Sequence, residues 1–226
     1  MVCHWYYFGV GIEGMSEHFR ARRMRRFLAE CAVTAETRVL DVGGNPPIWQ
    51  SLAVGSRPQV TYLNMPRAAE DDDDRGRLVF GDGLQLPFRD GEFDVAFSNS
   101  VIEHVGSAEN QRQFAAEVRR VAKVYWVQTP NYWFPIEQHL LTPIVHWLPM
   151  SLRAAVVRRA TVWGVVTKAN EVQRRFYVDH FLSEIRLLSA GELAELFPGC
   201  RLIAERFLGW KKSLIATGGS GRSGRS

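Results

Sequence analysis

Glu137 and His139 are spaced so that they can act together on a proton. They stand two positions apart, just beyond a predicted buried strand, and an extended chain would point them to the same side. A histidine with a near-neutral pKa beside a carboxylate is suited to removing a proton from a hydroxyl group. The same pair could equally fasten a surface segment through buried polar contacts, and the sequence leaves both interpretations open.

His104 is a second candidate for proton transfer, because it follows another predicted strand. Glu137, His139 and His104 could instead bind a divalent cation that lowers the pKa of an acceptor hydroxyl. The segment around Glu137 contains no second carboxylate. We therefore predict that these residues act catalytically without a bound metal.

Asp41, Gly43 and Gly44 end a short apolar run, as a buried parallel strand ends when it enters a turn that faces a ligand. About 20 residues further on, a doubly wound fold has a residue that holds ribose hydroxyls at the end of its second strand. Asn64 occupies this position here and is followed by Met65. The Asn64 amide can accept one hydroxyl hydrogen bond and donate another.

The order of the predicted elements indicates how these residues are brought together. Apolar runs predict strands, and apolar positions at helical spacing predict helices. Ser189 and Glu192 have the spacing of a capping box that begins a helix. The alternation predicts an α/β, Rossmann-like doubly wound sheet of about seven strands, which ends in an antiparallel hairpin. The predicted strands cover residues 38–44, 59–65, 77–81, 93–99, 123–129, 201–207 and 213–217, and the longer helices cover 14–31, 108–122 and 189–196.

Residues 39–44, 81–95 and 98–105 form three motifs that resemble those of class I S-adenosylmethionine-dependent methyltransferases, and of the type 11 methyltransferase family in particular. Residues 39–44 resemble the glycine-rich first motif of that class. Residues 81–95 resemble the run G-D-a-x-x-L-P-F followed by x-F-D-V, and residues 98–105 resemble S-x-x-V-L-E-H-V. The resemblance extends over residues 38–130 and, more loosely, over the C-terminal segments.

The resemblance implies S-adenosylmethionine as the cofactor. It implies that Asp82 accepts a hydrogen bond from the adenine amino group and that Gly83 and Leu84 form a wall of the adenine slot. For Glu103 and His104 it implies a pocket-shaping role more than proton abstraction. The predicted cofactor-binding residues are Asp41, Gly43, Gly44, Asn64, Met65, Asp82, Gly83, Leu84, Asn99 and Ser100.

The chain divides into three parts on this basis. Residues 1–37 form an aromatic arm and a basic helix, 38–217 form the methyltransferase domain, and 218–226 form a flexible tail. Within the domain, residues 131–180 far exceed a usual connection of roughly two to six residues. We therefore predict a lid insertion after strand five.

Charge and composition narrow the range of partners and compartments. The net charge of +4 falls to +2 for the body when Arg222 and Arg225 of the tail are subtracted (4 − 2), so no nucleic-acid partner is predicted. The three cysteines are widely spaced, and the N-terminus lacks the pattern of a signal peptide. A cytoplasmic protein is expected.

The predicted function is O-methylation, or less favourably N-methylation, of a small molecule or glycan, with Tyr132 and Trp133 stacking on the acceptor. A first alternative is a non-catalytic module that binds the cofactor, suggested by Asn64 and by a first motif that lacks its third glycine. A second is a peripheral membrane enzyme with a lipid-linked acceptor. The arginines that lie among the apolar residues of segment 140–166 suggest such contact with a membrane surface.

Overall fold

Strands and helices alternate along the chain as predicted. The computed structural model describes residues 10–44, 48–49, 52, 57–65, 77–159, 170–172, 175, 179 and 184–219. The strands are β1 (Arg38–Val42), β2 (Gln59–Asn64), β3 (Arg77–Phe80), β4 (Phe93–Asn99), β5 (Ala122–Pro130), β6 (Ile136–Glu137), β7 (Thr142–Pro143), β8 (Arg201–Phe207) and β9 (Trp210–Gly219). The longer helices are α1 (Val10–Glu30), α2 (Ala108–Val121), α3 (Met150–Arg159) and α4 (Ala190–Leu196).

A seven-stranded sheet organises the molecule, in the order β3-β2-β1-β4-β5-β9-β8. Strands β1 to β5 pair in parallel, and β9 pairs antiparallel with both β5 and β8. The carboxyl ends of the parallel strands therefore meet at one edge, and the strand order reverses beside β1, which is where such sheets bind ligands. The predicted fold class is confirmed.

Hydrophobic cores on both faces hold the strand ends in place. On one face, Phe27 of α1 packs against Trp49, Phe97 and Trp126 with ring centroids 4.7 to 5.9 Å apart. On the other face, α2 and α4 cover the sheet, and Phe114 of α2 is fully buried. Both layers thus support the edge at which the predicted site residues lie.

The last strand is longer than predicted. β9 continues through Gly218 and Gly219, which the sequence analysis assigned to the tail, because both residues pair with β5. The remaining tail residues lie outside the described part of the chain. At the start of α4, Ser189 and Glu192 form the predicted capping box.

The described part of the insertion folds against the edge of the sheet. β6 and β7 form a hairpin, and Leu140, Val145 and Val157 form a small core behind it. The Gln138 side chain donates a hydrogen bond to the Lys212 carbonyl at 3.0 Å, which ties the hairpin to β9. Much of 160–183 lies outside the described residues.

Candidate cofactor and acceptor sites

Gly43 and Gly44, the first two residues after β1, have no room for side chains. Gly43 has a φ of +75°, and its N–H donates to the Leu63 carbonyl at 2.8 Å. A Cβ at Gly43 would lie 2.5 Å from Cγ2 of Val101, and one at Gly44 would lie 2.4 Å from Cγ of Asp41. Packing within the protein therefore requires glycine at both positions.

Asp41 lies against this loop. Its side chain is buried, and its Oδ2 accepts a hydrogen bond from Nε1 of Trp49 at 2.7 Å. The carboxylate thus supports Gly44 and joins the loop to the helix side of the sheet. Direct contact between Asp41 and a cofactor stays a prediction.

Asn64 ends β2 beside the same loop. Its Nδ2 donates to the Gly44 carbonyl at 3.1 Å. Its Oδ1 is buried and has no hydrogen-bond partner among the described residues. A buried acceptor without a donor costs about 1–3 kcal/mol, so the site suits a ligand hydroxyl that donates to Asn64. Met65, the next residue, is 47% exposed.

Asp82 follows β3 in a tight turn at the neighbouring strand end. Its Oδ1 accepts a hydrogen bond from the Leu84 backbone N–H at 2.9 Å. The Gln85 N–H donates to the Asp82 carbonyl at 3.1 Å, which closes the turn. The Gly81 N–H donates to the Asn64 carbonyl at 2.9 Å. A Cβ at Gly83 would lie 3.1 Å from the Phe114 ring. The Asp82 turn therefore adjoins Asn64, as one ligand that touches both would require.

Asn99 and Ser100 belong to a polar network that the sequence analysis missed. Arg23 of α1 donates to the Asn99 side chain and, at 2.9 Å, to Oε1 of Gln128. Ser100 Oγ donates to the same Gln128 oxygen at 3.1 Å, and Arg23 also pairs with Glu205 at 2.5 Å. The two predicted cofactor-binding side chains are thus held by protein groups.

The position of Arg23 in the sequence indicates that it is buried. Arg23 lies four residues after Phe19 and four before Phe27, so helical spacing puts it on the face that carries these apolar residues. Arg23 thus differs from the arginines on either side of it, Arg22 and Arg25, which are exposed. Only 8% of Arg23 is exposed.

The three predicted catalytic residues come together behind β4 and β5. His139 and Glu137 are fully buried, and Nδ1 of His139 lies 2.6 Å from Oε1 of Glu137. On its other side, Nε2 of His139 lies 3.2 Å from Nε2 of His104. The sequence predicted that Glu137 and His139 lie on one side of an extended stretch; the structure shows them in contact, and their catalytic role stays a prediction.

Glu103 completes this cluster. It lies with His104 on a 3₁₀ turn after β4 and is fully buried. Its Oε2 accepts from Thr129 Oγ1 at 3.0 Å, and its Oε1 lies 4.0 Å from Nε2 of His104. The spacing of residues along the chain did not predict that Glu103 would approach His139.

Burial and neighbouring charges shift the pKa values in the cluster. Burial raises the pKa of Glu103 to about 7, while the charge on His139 opposes this shift. Burial also disfavours the charged forms of Glu137 and His139, but their mutual attraction and hydrogen bond outweigh it. The pKa of Glu137 is consequently lowered and that of His139 is raised.

A cavity of about 390 Å³ opens past the end of β5. Tyr132 and Trp133, the predicted acceptor-stacking residues, both line it, and Trp133 is 61% exposed. Arg186 lines it too, and its backbone N–H donates to the Glu103 carbonyl at 2.9 Å. The cavity therefore adjoins the turn that carries Glu103 and His104.

Comparisons with known proteins agree with this arrangement. Residues 54–124 match the type 11 family described as a methyltransferase domain. A protein of Encephalitozoon cuniculi named as a methyltransferase is 39% identical over 101 residues, which cover 44% of this chain and 46% of that protein. An uncharacterized methyltransferase of a Mycobacterium species is 38% identical over 74 residues, which cover 30% of this chain and 28% of that protein. The chain thus matches less than half the length of either relative.

Solved structures share the fold at low sequence identity. A complex of the Haloferax volcanii Trm112 methyltransferase activator with a methyltransferase matches at a TM-score of 0.56 and 16% identity, over 95% of this chain and 94% of that one. The S-adenosylmethionine-dependent methyltransferase SibL matches at a TM-score of 0.54 and 16% identity, over 92% of this chain and 56% of that one. Residues 54–124 are thus similar to the type 11 methyltransferase domain, and the chain as a whole shares the Rossmann-like fold of these methyltransferases.

Proposed function

We propose that this protein transfers a methyl group from S-adenosylmethionine to an oxygen atom of a small molecule or glycan. The observation that carries the proposal is the position of the Glu103–His104 turn. It directly follows β4, at the edge where the Gly43–Gly44 loop and Asn64 lie, and its backbone adjoins the cavity beyond β5. A methyl donor and an acceptor can meet at such a junction.

The residues at the strand ends fit the donor. When bound, S-adenosylmethionine supplies a methyl group that its sulfonium already activates. The buried Oδ1 of Asn64 suits a ribose hydroxyl, and the Asp82 carboxylate lies in an exposed turn next to it. Because the sulfonium needs no covalent help, the protein mainly has to align the reactants, which is worth up to about 7–11 kcal/mol.

The histidine–carboxylate cluster favours an oxygen acceptor. A hydroxyl group must lose its proton as it attacks, and Glu137, His139 and His104 form a chain of polar groups that can assist this loss. His104 is the member nearest to solvent, with 9% of its side chain exposed, whereas His139 is 1% exposed. His104 would therefore face the acceptor, and His139 would support it from behind.

The cavity beyond β5 suits a ring-shaped acceptor. Tyr132 and Trp133 meet edge to face with their ring centroids 5.0 Å apart, and exposed aromatic faces stack well on sugars and planar rings. The nearby Arg153 and Arg186 side chains line the same cavity. We propose that this cavity receives the acceptor.

A lipid-linked acceptor is the second candidate. Among the described residues, no helix is long and apolar enough to cross a membrane. However, Ile144, Trp147, Met150 and Leu152 are all exposed, by 37% to 57%. Closely spaced exposed apolar side chains are typical of surfaces that contact a membrane or another protein.

The proposal is tested first by calorimetric titration with S-adenosylmethionine and S-adenosylhomocysteine. Release of S-adenosylhomocysteine in the presence of hydroxylated acceptors would then establish transfer. If the cofactor binds but no acceptor supports its turnover, the protein is a cofactor-binding module. If neither compound binds, the proposed function is wrong.

A further inference from the structure

The geometry points to a divalent-cation site formed by Glu103, His104 and His139. One carboxylate oxygen and one ring nitrogen from each histidine all lie within 4.8 Å of one another. These residues come from two separate segments, the turn after β4 and the hairpin after β5. No metal was predicted from the sequence, because only one carboxylate lies beside His139 along the chain, and the fold supplies the second.

The two imidazole rings are oriented as metal ligands would be. The Glu137 carboxylate accepts a hydrogen bond, so Nδ1 of His139 carries the hydrogen and Nε2 is the atom directed at His104. The Nε2 atoms are 3.2 Å apart. Two ligands at about 2.0–2.1 Å from a tetrahedral zinc ion are separated by about 3.3 Å, so a cation can fit against both rings with little movement.

Glu103 provides an independent indication of a ligand. Its Oε1 is buried and has no hydrogen-bond partner among the described residues, although Oε2 is held by Thr129. Leaving such an oxygen unsatisfied is unfavourable, the more so when it is charged. A cation at this position would satisfy Oε1, which already lies 4.0 Å from Nε2 of His104.

Glu137 acts as a support for the site and not as a ligand. One of its oxygens contacts Nδ1 of His139, and the other accepts the Leu140 backbone N–H at 2.7 Å. A carboxylate that holds the far nitrogen of a metal-binding histidine fixes the ring and raises its basicity. Thr129 orients Glu103 in the same way.

The ligand set indicates the class of ion and leaves room for an acceptor. Two imidazoles and one carboxylate suit Zn²⁺, Fe²⁺ or Mn²⁺ better than Ca²⁺. Three protein ligands leave an open position that an acceptor hydroxyl can occupy, and the bound cation would lower its pKa. This use of the ion rests on the proposed function, whereas the binding itself does not.

The experiment is a titration of the full chain with Zn²⁺ after dialysis against a chelator. One ion per chain should bind, and Co²⁺ should give visible absorption bands from a nitrogen and oxygen site. We expect Glu137→Gln to weaken binding about 10- to 100-fold, and Glu103→Gln and His139→Ala to weaken it more. His146→Ala is the matched control, since His146 is a buried histidine of the same insertion and is 3% exposed.

Two results would overturn the inference. One is no Zn²⁺ binding by the folded wild-type chain. The other is binding that Glu103→Gln and His139→Ala leave as tight as in His146→Ala. If His139→Ala fails to fold, the isosteric Glu103→Gln still decides. Titration of the metal-free chain with S-adenosylmethionine tests the proposed function separately from the cation site. If the cofactor binds but Zn²⁺ does not, only the cation site is contradicted.

Discussion

His104 and His139 face each other through their Nε2 atoms, 3.2 Å apart, although 35 positions separate them along the chain. The turn after β4 carries one ring, and the hairpin after β5 carries the other. β4 and β5 are neighbouring parallel strands, so their carboxyl ends necessarily lie side by side. The strand pairing therefore creates the cluster.

Asp82→Ala should weaken S-adenosylmethionine binding. An adenine amino group that donates to the Asp82 carboxylate would lose a charged acceptor, at a cost of about 1–3 kcal/mol, which corresponds to about 5- to 150-fold in affinity. Titration calorimetry measures this directly. Asp90→Ala is the control, because Asp90 is an exposed aspartate whose carboxylate pairs with Arg120. Equal affinities in the two folded variants would exclude Asp82 from the cofactor site.

Asn64→Asp should weaken cofactor binding, although many Rossmann-like proteins have a carboxylate at this position. The Asn64 Nδ2 donates to the Gly44 carbonyl, and a carboxylate would place an acceptor against that carbonyl. We expect a loss of about 1–3 kcal/mol in unfolding free energy together with reduced affinity. Unchanged stability in denaturant titrations would show that the contact with Gly44 is unimportant.

The fold was predictable because its signals are local, whereas parts of the site depend on tertiary contacts. Glycines after an apolar run and the capping box at Ser189 mark element ends, and β4 and β8 cover the predicted residues. The contact of Glu137 with His139 was predictable because the two residues are close in sequence. No local pattern could show that Glu103 would meet His139, since this depends on how two loops pack.

The Arg23–Glu205 pair should make stability depend on pH. Burial alone would raise the pKa of Glu205, but the hydrogen bond and charge of Arg23 outweigh it, and this pKa is lowered. The pair therefore stabilises the fold above the ordinary pKa of a glutamate, and the contribution is lost as pH falls through the lowered value.

Glu205→Gln tests this pair by denaturant unfolding at several pH values. Near neutral pH the variant should lose about 3–5 kcal/mol, because the charge of Arg23 would stay buried without a carboxylate to balance it. Its stability should also fall less steeply on acidification than that of the wild type. The control is Glu109→Gln, which breaks an exposed ion pair with Arg112 and should cost at most about 1 kcal/mol. Parallel pH curves for wild type and Glu205→Gln would contradict the prediction.

A lipid-linked acceptor predicts membrane contact through α3. The double change Met150→Ser and Leu152→Ser removes two side chains that are 57% and 56% exposed, so folding should be little affected. If the second candidate function holds, sedimentation with anionic vesicles should drop sharply in this variant. Leu208→Ser, at an 83% exposed position of the β8–β9 turn, is the control. Absence of vesicle binding by the wild type would remove this candidate.

His139→Ala should separate acceptor activation from cofactor binding. His139 contacts Glu137 and His104 on the hairpin after β5, whereas Asn64 and Asp82 lie at the ends of β2 and β3, which β1 and β4 separate from β5, so affinity for S-adenosylmethionine should be retained. Turnover should fall by about 10²- to 10⁴-fold, the usual effect of losing a group that assists removal of a proton.

In contrast, His104→Ala should also disturb cofactor binding, because His104 lies on the turn directly after the strand end that carries Asn99 and Ser100. Single-turnover assays with a known acceptor measure the first effect and calorimetry the second. If His139→Ala keeps near-normal turnover, His139 only fastens the insertion, and methyl transfer depends on alignment or on His104.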